Sequence, residues 1–463
     1  MSEMIKSISP ADGSVTFERP MASDSEIQAT LDKAVAAQKS WRELSVSERA
    51  DYCKKFVEAF NAKGEDYAKD ISVSMGRPIR YCMGEIGGFN ERAEHMISIA
   101  EKALAPVQVG EKAGFTRYIK REPLGVSLVI APWNFPYMTA LNVVVPSLLA
   151  GNTVILKHAS QTLVCAENFA EAFKAAGLPE GVFQILHMSH DSTANVIKSG
   201  KINHISFTGS VRGGREMEQA AAGQFLSVGL ELGGKDPAYV RADADVAATV
   251  DSVLDGGFFN SGQSCCGIER IYVHEDVYDE FVKGAVDFVS AYKLGDPSDP
   301  ETTLGPVVNK KAADFIRGQI RDAVAAGAKQ LVDTSLFPAD TGDSAYLAPQ
   351  VLVDVNHDMS IMRDESFGPV VGIMKVSSDE EAIKLMNDSD LGLTACIWTK
   401  DEAKAIEIGD QIETGTWFMN RCDYLDPALS WTGVKNTGRG CSLSALGFDH
   451  LTRPKSYHLK HPA

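Results

Sequence analysis

A basic surplus, a long apolar run and a paired-cysteine motif are all missing from this chain of 463 residues. Lys and Arg number 45 against 62 Asp and Glu, a formal charge of −17. That balance excludes the basic footprint that nucleic-acid binding requires. No uninterrupted apolar stretch can span a bilayer; the run Val143, Val144, Val145 is broken by Pro146. The first residues carry no apolar signal core, so a cytoplasmic location with no membrane partner is the expectation. The eight cysteines, at 53, 82, 165, 265, 266, 396, 422 and 441, form no Cys-x-x-Cys pair, which argues against a disulfide scaffold. His187 and His190 stand three apart without a nearby carboxylate or cysteine, and no metal site is expected. No Gly-x-Gly-x-x-Gly follows the first strand of the central region, so the ordinary dinucleotide fingerprint is absent. Internal repeats and low-complexity tracts are absent too.

What is present reads as an α/β chain of two or three domains. Hydrophobic residues make up 44% and charged residues 23%, the proportions of a soluble globular protein, and the length exceeds one ordinary core. Ser23 and Glu26 form a capping box ahead of the stripe Ile27, Leu31, Ala34, Val35 and Gln38. From about residue 120 the pattern becomes strand, turn, helix, repeated. Strands are expected at 125–130, 154–156, 182–186 and 204–207, with helices at 137–149 and from Cys165 through Phe173 to a stop at Gly177 and Pro179. Helices of this length between short apolar strands imply a mostly parallel sheet. A second alternating region runs from about 237 to 432, and the pair Gly233 and Gly234 marks the boundary between them. Residues 116–121 and 454–459 alternate like strands exposed on one face. Such edges are commonly covered by a neighbouring subunit, so a homodimer or homotetramer is expected.

Three positions carry chemistry. Cys265 supplies a thiol, Asn134 an amide donor and Glu231 a carboxylate, the parts needed to attack a carbonyl, hold the oxyanion and activate water. Each has a bland alternative: most cysteines are inert core residues, asparagines often tie down turns, and a lone glutamate is usually a solvated charge.

Five motifs in one order change that balance: Pro-Trp-Asn-Phe-Pro at 132–136, Phe-Thr-Gly-Ser at 207–210, Glu-Leu-Gly-Gly-Lys at 231–235, Gly-Gln-Ser-Cys at 262–265 and Glu-Ser-Phe-Gly-Pro at 365–369. In this arrangement the chain resembles the aldehyde dehydrogenase superfamily over almost its whole length. The resemblance implies a Rossmann-like NAD(P)-binding domain (1–108 and 125–232), an α/β catalytic domain (233–440) and small β oligomerisation segments (109–124 and 441–463). It implies that Cys265 adds to an aldehyde to give a thiohemiacetal, that Asn134 and the Cys265 N–H hold the oxyanion, and that hydride passes to the nicotinamide. Glu231 then directs water onto the thioester; relatives that hand the acyl group to coenzyme A generally lack this glutamate.

By the same resemblance, Lys157 and Ser160 face the adenosine ribose, Gly209, Ser210 and Gly213 the pyrophosphate, and Trp133, Leu232, Glu365 and Phe367 the nicotinamide side. Many strict NAD users carry glutamate where Ser160 stands. A serine repels no 2′-phosphate, so NADP is expected to be accepted alongside NAD. Phe135, Met138, Asn142, Phe259, Cys266, Tyr424 and Trp431 are expected to line the access tunnel, suiting a medium-sized apolar or aromatic aldehyde. The runner-up is succinate semialdehyde or another short carboxylate-tailed aldehyde, as in the branch that the length and the residues around His158 resemble. The arginine such members carry on the helix after Pro-Trp-Asn-Phe-Pro is absent here. Arg421 offers a substitute cation unless Asp423 neutralises it. The chain departs from the family pattern twice: Trp431-Thr432-Gly433-Val434-Lys435 stands where the family often has Pro-Phe-Gly-Gly-x-Lys, and Gly440, Cys441, Ser442 and Leu443 replace a glutamate-bearing stretch. A non-catalytic relative and a redox-free thioesterase are the competing classes; the first would lack Cys265 or Glu231, the second Lys157 and Glu365.

Overall fold

The computed structural model describes residues 3–462. Two parallel sheets dominate it. The first has six strands in the spatial order Gly438–Arg439, Ser227–Glu231, His204–Thr208, Val126–Ala131, Thr153–His158 and Phe183–Ile185. All its neighbours are parallel except the short Gly438–Arg439 strand. The second has seven strands, ordered Lys329–Gln330, Gln350–Val353, Val370–Val376, Ile268–His274, Asp236–Val240, Thr394–Trp398 and Thr416–Met419. Here only Lys329–Gln330 runs antiparallel. The strands Val126–Ala131 and Thr153–His158 are buried at every position, which is why they read as unbroken apolar runs rather than as alternation.

The chain leaves the first sheet at Glu231 and enters the second at Asp236, with Gly233 and Gly234 between. The return strand Gly438–Arg439, beyond the second alternating region, lies on the first sheet, where its residues pair with Glu231 and Leu230.

The helix Asp24–Trp41 opens with the expected capping box, Ser23 accepting from the Glu26 N–H and Glu26 accepting from the Ser23 N–H. Ile27, Leu31 and Ala34 face the core, while Val35 is exposed. The helix Leu163–Ala175 buries Cys165, Phe169 and Phe173, and Gly177 lies beyond it at a φ of 70°. A third sheet stands apart: Thr452–Lys460 pairs antiparallel with Phe115–Pro123, and Val107–Gln108 flanks the latter. The two segments read as exposed edges therefore pair with each other over nine residues. Among the described residues no helix is long and apolar enough to cross a membrane.

Candidate active site

The central strand Val126–Ala131 lies between Thr153–His158, reached first, and His204–Thr208, reached after the chain has crossed back. Loops at the carboxyl ends of strands flanking such a reversal leave a crevice. Pro132, Trp133 and Asn134 leave one strand there, and Gly209 and Ser210 leave the other. The helix Val211–Ala221 starts at this point with Ser210 as its cap, the Ser210 hydroxyl accepting from the Gly213 N–H at 3.2 Å.

A cavity of about 240 Å³ occupies the crevice, lined by Trp133, Asn134, Gly209, Ser210, Leu232, Glu365 and Phe367 among others. A second cavity, of about 320 Å³, adjoins it. Thr208, Glu231, Leu232 and Cys265 line both. The residue read as nucleophile and the residue read as base thus stand where the two spaces meet. All seven residues expected in the substrate tunnel (Phe135, Met138, Asn142, Phe259, Cys266, Tyr424 and Trp431) line the larger cavity.

Cys265 follows a strained turn. Asn260, Ser261 and Gly262 hold φ values of 54°, 57° and 70° in succession. Such a run is costly for residues with a Cβ and persists only where surroundings impose it. A Cβ at Gly262 would lie 2.1 Å from the Gly368 carbonyl, so only glycine fits. The surroundings are a buried polar network. The Arg77 guanidinium donates to Asn260 Oδ1, Glu85 Oε2 and the Asn134 carbonyl and lies 4.5 Å over the Phe135 ring. Asn260 Nδ2 donates to the carbonyls of Asn134 and Gln263. Asn134 Nδ2 donates to the Gln263 carbonyl at 3.2 Å, leaving its second amide hydrogen for a ligand. Glu85 Oε1 accepts from the N–H groups of Tyr137 and Met138, which start the helix Pro136–Leu149 and have no partner within it. One buried arginine–glutamate pair therefore ties the Asn134 turn to the Cys265 loop. The Cys265 N–H makes no hydrogen bond to any described residue.

Glu231 ends its strand between the buried Leu230 and Leu232. Burial pushes its carboxyl above the usual carboxylate range, opposed by hydrogen bonds from Ser442 and Thr208 and by the charge of Arg92. Those hydroxyls donate to Oε1 at 2.5 Å and Oε2 at 3.2 Å. The serine in the departing stretch thus lies directly on the carboxylate.

Glu365 is half-buried, and loss of hydration there, with the like charge of Glu269, raises it to about 8. Its Oε1 accepts from the Gly234 N–H at 3.0 Å. A Cβ at Gly233 would lie 2.3 Å from Glu365 Oε2, so the first glycine of the pair makes room for this side chain. Phe367 sits edge-on to Trp133 at 5.6 Å, and its loop is held by Glu269, which accepts from the Ser366 and Phe367 N–H groups and pairs with the buried Lys235. Lys157, Ser160 and Gly213 do not line this cavity. Lys157 ends its strand, buried, with only the His158 carbonyl at 3.5 Å. Ser160 opens a short helical turn at the surface. Gly213 lies in the first turn of the helix that Ser210 caps. A groove with a helix N-terminus for a diphosphate, an under-bonded lysine for ribose hydroxyls and an aromatic wall fits a nicotinamide nucleotide.

Arg421 does not enter the substrate cavity. Its guanidinium lies 4.0 Å over the Tyr424 ring, where the cation is both solvated and stacked. Nor does Asp423 neutralise it: Asp423 Oδ1 accepts from Ser264 and from the Cys266 thiol. Two cations line the cavity: Arg77, which is paired with Glu85, and Arg92, on the helix Ile79–Ala103. Arg92 lies on the helix that precedes Pro-Trp-Asn-Phe-Pro, not on the one that follows it. Its signal was an arginine within the apolar stripe Ile86, Phe89, Ala93, Met96 of that helix.

The aldehyde dehydrogenase family profile matches residues 1–457, and the chain belongs to that family. It is 34% identical over 445 residues, 95% of each chain, to the succinate semialdehyde dehydrogenase [NAD(P)+] Sad of Escherichia coli (strain K12). It is 33% identical to an aldehyde dehydrogenase of Paenarthrobacter nicotinovorans, covering 98% of this chain and 99% of that one. Among solved structures, it superposes with a TM-score of 0.94 and 29% identity on succinic semialdehyde dehydrogenase from Streptococcus pyogenes in complex with NADP+, over 99% and 100% of the two chains. The protein is thus an enzyme of aldehyde oxidation.

Proposed function

We propose that the chain oxidises an aldehyde to the free carboxylic acid with NAD or NADP, through a thioester on Cys265. The observation that carries this reading is the meeting of the two cavities at Cys265 and Glu231. Cofactor and substrate reach the nucleophile through separate cavities there. The Cys265 thiol gives its proton to Glu231 or to solvent as its sulfur adds to the aldehyde carbon, forming a C–S bond while the carbonyl oxygen becomes an oxyanion. Asn134 Nδ2 and the Cys265 N–H donate to that oxygen. A nicotinamide nucleotide, when bound, supplies the acceptor for the hydride that leaves the same carbon. Glu231 takes a proton from water, and the hydroxide equivalent attacks the thioester, breaking the C–S bond and restoring the thiol.

The residues that would hold the cofactor are Lys157 and Ser160 at the adenosine end and Gly209, Ser210 and Gly213 at the diphosphate. Trp133, Leu232, Glu365 and Phe367 flank the nicotinamide ribose and ring. The relatives named for NAD(P)+ and the NADP+-bound neighbour support use of either nucleotide. The aromatic and sulfur walls of the larger cavity support a medium-sized apolar aldehyde, and the names of the relatives support succinate semialdehyde instead. The reading extends to a cytoplasmic homo-oligomer: all eight cysteines are free thiols, as a reducing compartment keeps them, and the Thr452–Lys460 strand offers an edge for a second copy. A monomeric mass in light scattering would count against the latter.

The test is replacement of the nucleophile. Cys265→Ser should abolish reduced-cofactor formation with every aldehyde, whereas Glu231→Gln should still give one turnover and trap an acylated protein visible by mass spectrometry. Undiminished steady turnover in Cys265→Ser would end the proposal.

A further inference from the structure

A third and smaller cavity lies against Glu231, apart from the two that meet at Cys265. It measures about 20 Å³, room for one water. Glu231 and Ser442 form part of its wall, and so do Arg439 and His450, which are exposed. The cavity therefore stands between the base and solvent. Strand pairing explains why its lining is polar. His204, Ser206 and Thr208 stand opposite Ser227, Gly229 and Glu231 on neighbouring parallel strands. Alternation puts all six on one face of the sheet. The intervening Ile205, Phe207, Val228 and Leu230 belong to the apolar core on the other face. His204 and Ser206 are nonetheless buried, at 2% and 7% exposure, where a covered sheet face is ordinarily apolar.

Two groups on that face call for a bound water. Neither the Ser206 hydroxyl nor His204 Nε2 has a hydrogen-bond partner among the described residues, and neither is sealed from water. Buried polar groups are rarely left unpaired, and ordered water sits where several of them converge. The bonds continue outward from His204. Its Nδ1 lies 3.0 Å from the Ser227 hydroxyl, which donates to the His450 carbonyl at 3.4 Å. That hydroxyl has one proton, so His204 Nδ1 is the donor between them and Nε2 is left as an acceptor facing the cavity. Burial depresses the His204 pKa to about 4, so the ring is neutral at neutral pH. At the inner end the Ser442 hydroxyl lies on Glu231 Oε1.

We propose that Ser442, a water in this cavity, His204 and Ser227 form a file that carries the proton of Glu231 to solvent after the thioester is hydrolysed. The proposal rests on the aldehyde-oxidation reading, in which Glu231 gains a proton from water in each turnover and must lose it before the next. At that stage the two larger cavities are the places of the product acid and the nucleotide, and neither offers a free path. The O–H bond of the Glu231 acid breaks as its proton passes to Ser442 Oγ, and the Ser442 proton passes to the water. The water gives a proton to His204 Nε2 while Nδ1 releases its own through the Ser227 hydroxyl to bulk water. One proton enters the file and one leaves it. Arg439 would oppose a passing positive charge, but it is paired with Glu218.

The experiment fills the cavity. A Cβ at Gly229 would meet only His204 Cε1 at 3.8 Å and the Ile205 carbonyl at 3.9 Å, so Gly229→Ala fits the fold while its methyl takes the place of the water. Single turnovers of the full chain are followed by stopped flow with NADP and whichever of succinate semialdehyde and butanal is oxidised faster. NADPH absorbance reports hydride transfer, NADPH fluorescence its release, and an indicator dye in weak buffer the protons. The wild type should release its last proton before NADPH departs. Gly229→Ala should leave hydride transfer unchanged and delay that proton at least about tenfold, since a positioned proton-transfer group contributes about a hundredfold or more. His204→Phe, which keeps the bulk and removes both nitrogens, should delay it likewise. A wild-type proton that waits for NADPH release, an unchanged proton trace in Gly229→Ala, or hydride transfer slowed as much as the proton would each overturn the proposal. Absence of reduced cofactor from the wild type with both aldehydes would instead refute the oxidation reading on which it rests.

Discussion

Ser442 donates its hydroxyl to Glu231 Oε1 at 2.5 Å, across 211 residues of chain. The bond favours the charged carboxylate against the burial that disfavours it. Replacing Ser442 by alanine removes that hydrogen bond to the charged form and should therefore raise the Glu231 pKa further. Because Glu231 must be ionised to act as base, activity is lost as pH falls through its pKa. The acid limb of the turnover profile should move to higher pH in Ser442→Ala. An unmoved limb would show that another group titrates there.

Asn134 is fixed by its bond to the Gln263 carbonyl and by what Arg77 and Asn260 donate to its own carbonyl. Its alanine variant should lose about 3–4 kcal/mol of transition-state stabilisation, several hundredfold in kcat. Cofactor affinity, read by fluorescence titration with NADPH, should hardly change. Unchanged turnover would remove Asn134 from the oxyanion site.

The surface position of Ser160, beside the end of the Thr153–His158 strand, puts no negative charge near a 2′-phosphate. The protein should reduce NADP efficiently, and Ser160→Glu should shift the NADP-to-NAD ratio of kcat/KM by about tenfold or more toward NAD through like-charge repulsion. A wild type that favours NAD several thousandfold would refute this.

His158 and His204 are buried, and burial depresses both to about 4. Unfolded histidines titrate near 6.5, so as pH falls below that value the unfolded chain binds these protons first. The stability they contribute is complete above about 6.5 and is lost between there and about 4. A depression of this size corresponds to roughly 3 kcal/mol for each group. Urea unfolding midpoints should fall between pH 7 and pH 4, and less steeply once His158 is replaced by glutamine. His158 Nε2 donates to the Pro136 carbonyl, and its Nδ1 accepts from the Ala159 N–H and the Thr162 hydroxyl, so the glutamine variant, which also carries a donor and an acceptor, retains some of that bonding. Equal slopes would show that His158 is not among the groups linked to unfolding.

The parallel strands around Val126 and Thr153 were legible because full burial on both faces writes itself as consecutive apolar residues. The helix from Asp24 was legible because capping is local to four residues. The third sheet was half legible: alternation announced two exposed strands, but their pairing joins Phe115 to Lys460, a distance no local pattern spans. Arg421 was misplaced for a related reason. A sequence shows that a cation is nearby, not whether it stacks outward on Tyr424 or reaches inward as Arg92 does.

By itself the sequence determined the candidate reactive groups: a thiol, an amide and a carboxylate in motifs whose order identifies the family. It determined them because each motif is a short run of residues whose backbone demands are local. Only the tertiary structure decided where the charges lie. It joined Arg77 to Asn134 and Asn260 across 57 and 183 residues, brought Ser442 onto Glu231, and left Arg92 without a carboxylate in the substrate cavity. Electrostatic pairing depends on distance and burial in three dimensions, and the chain enciphers neither at the position of the charge.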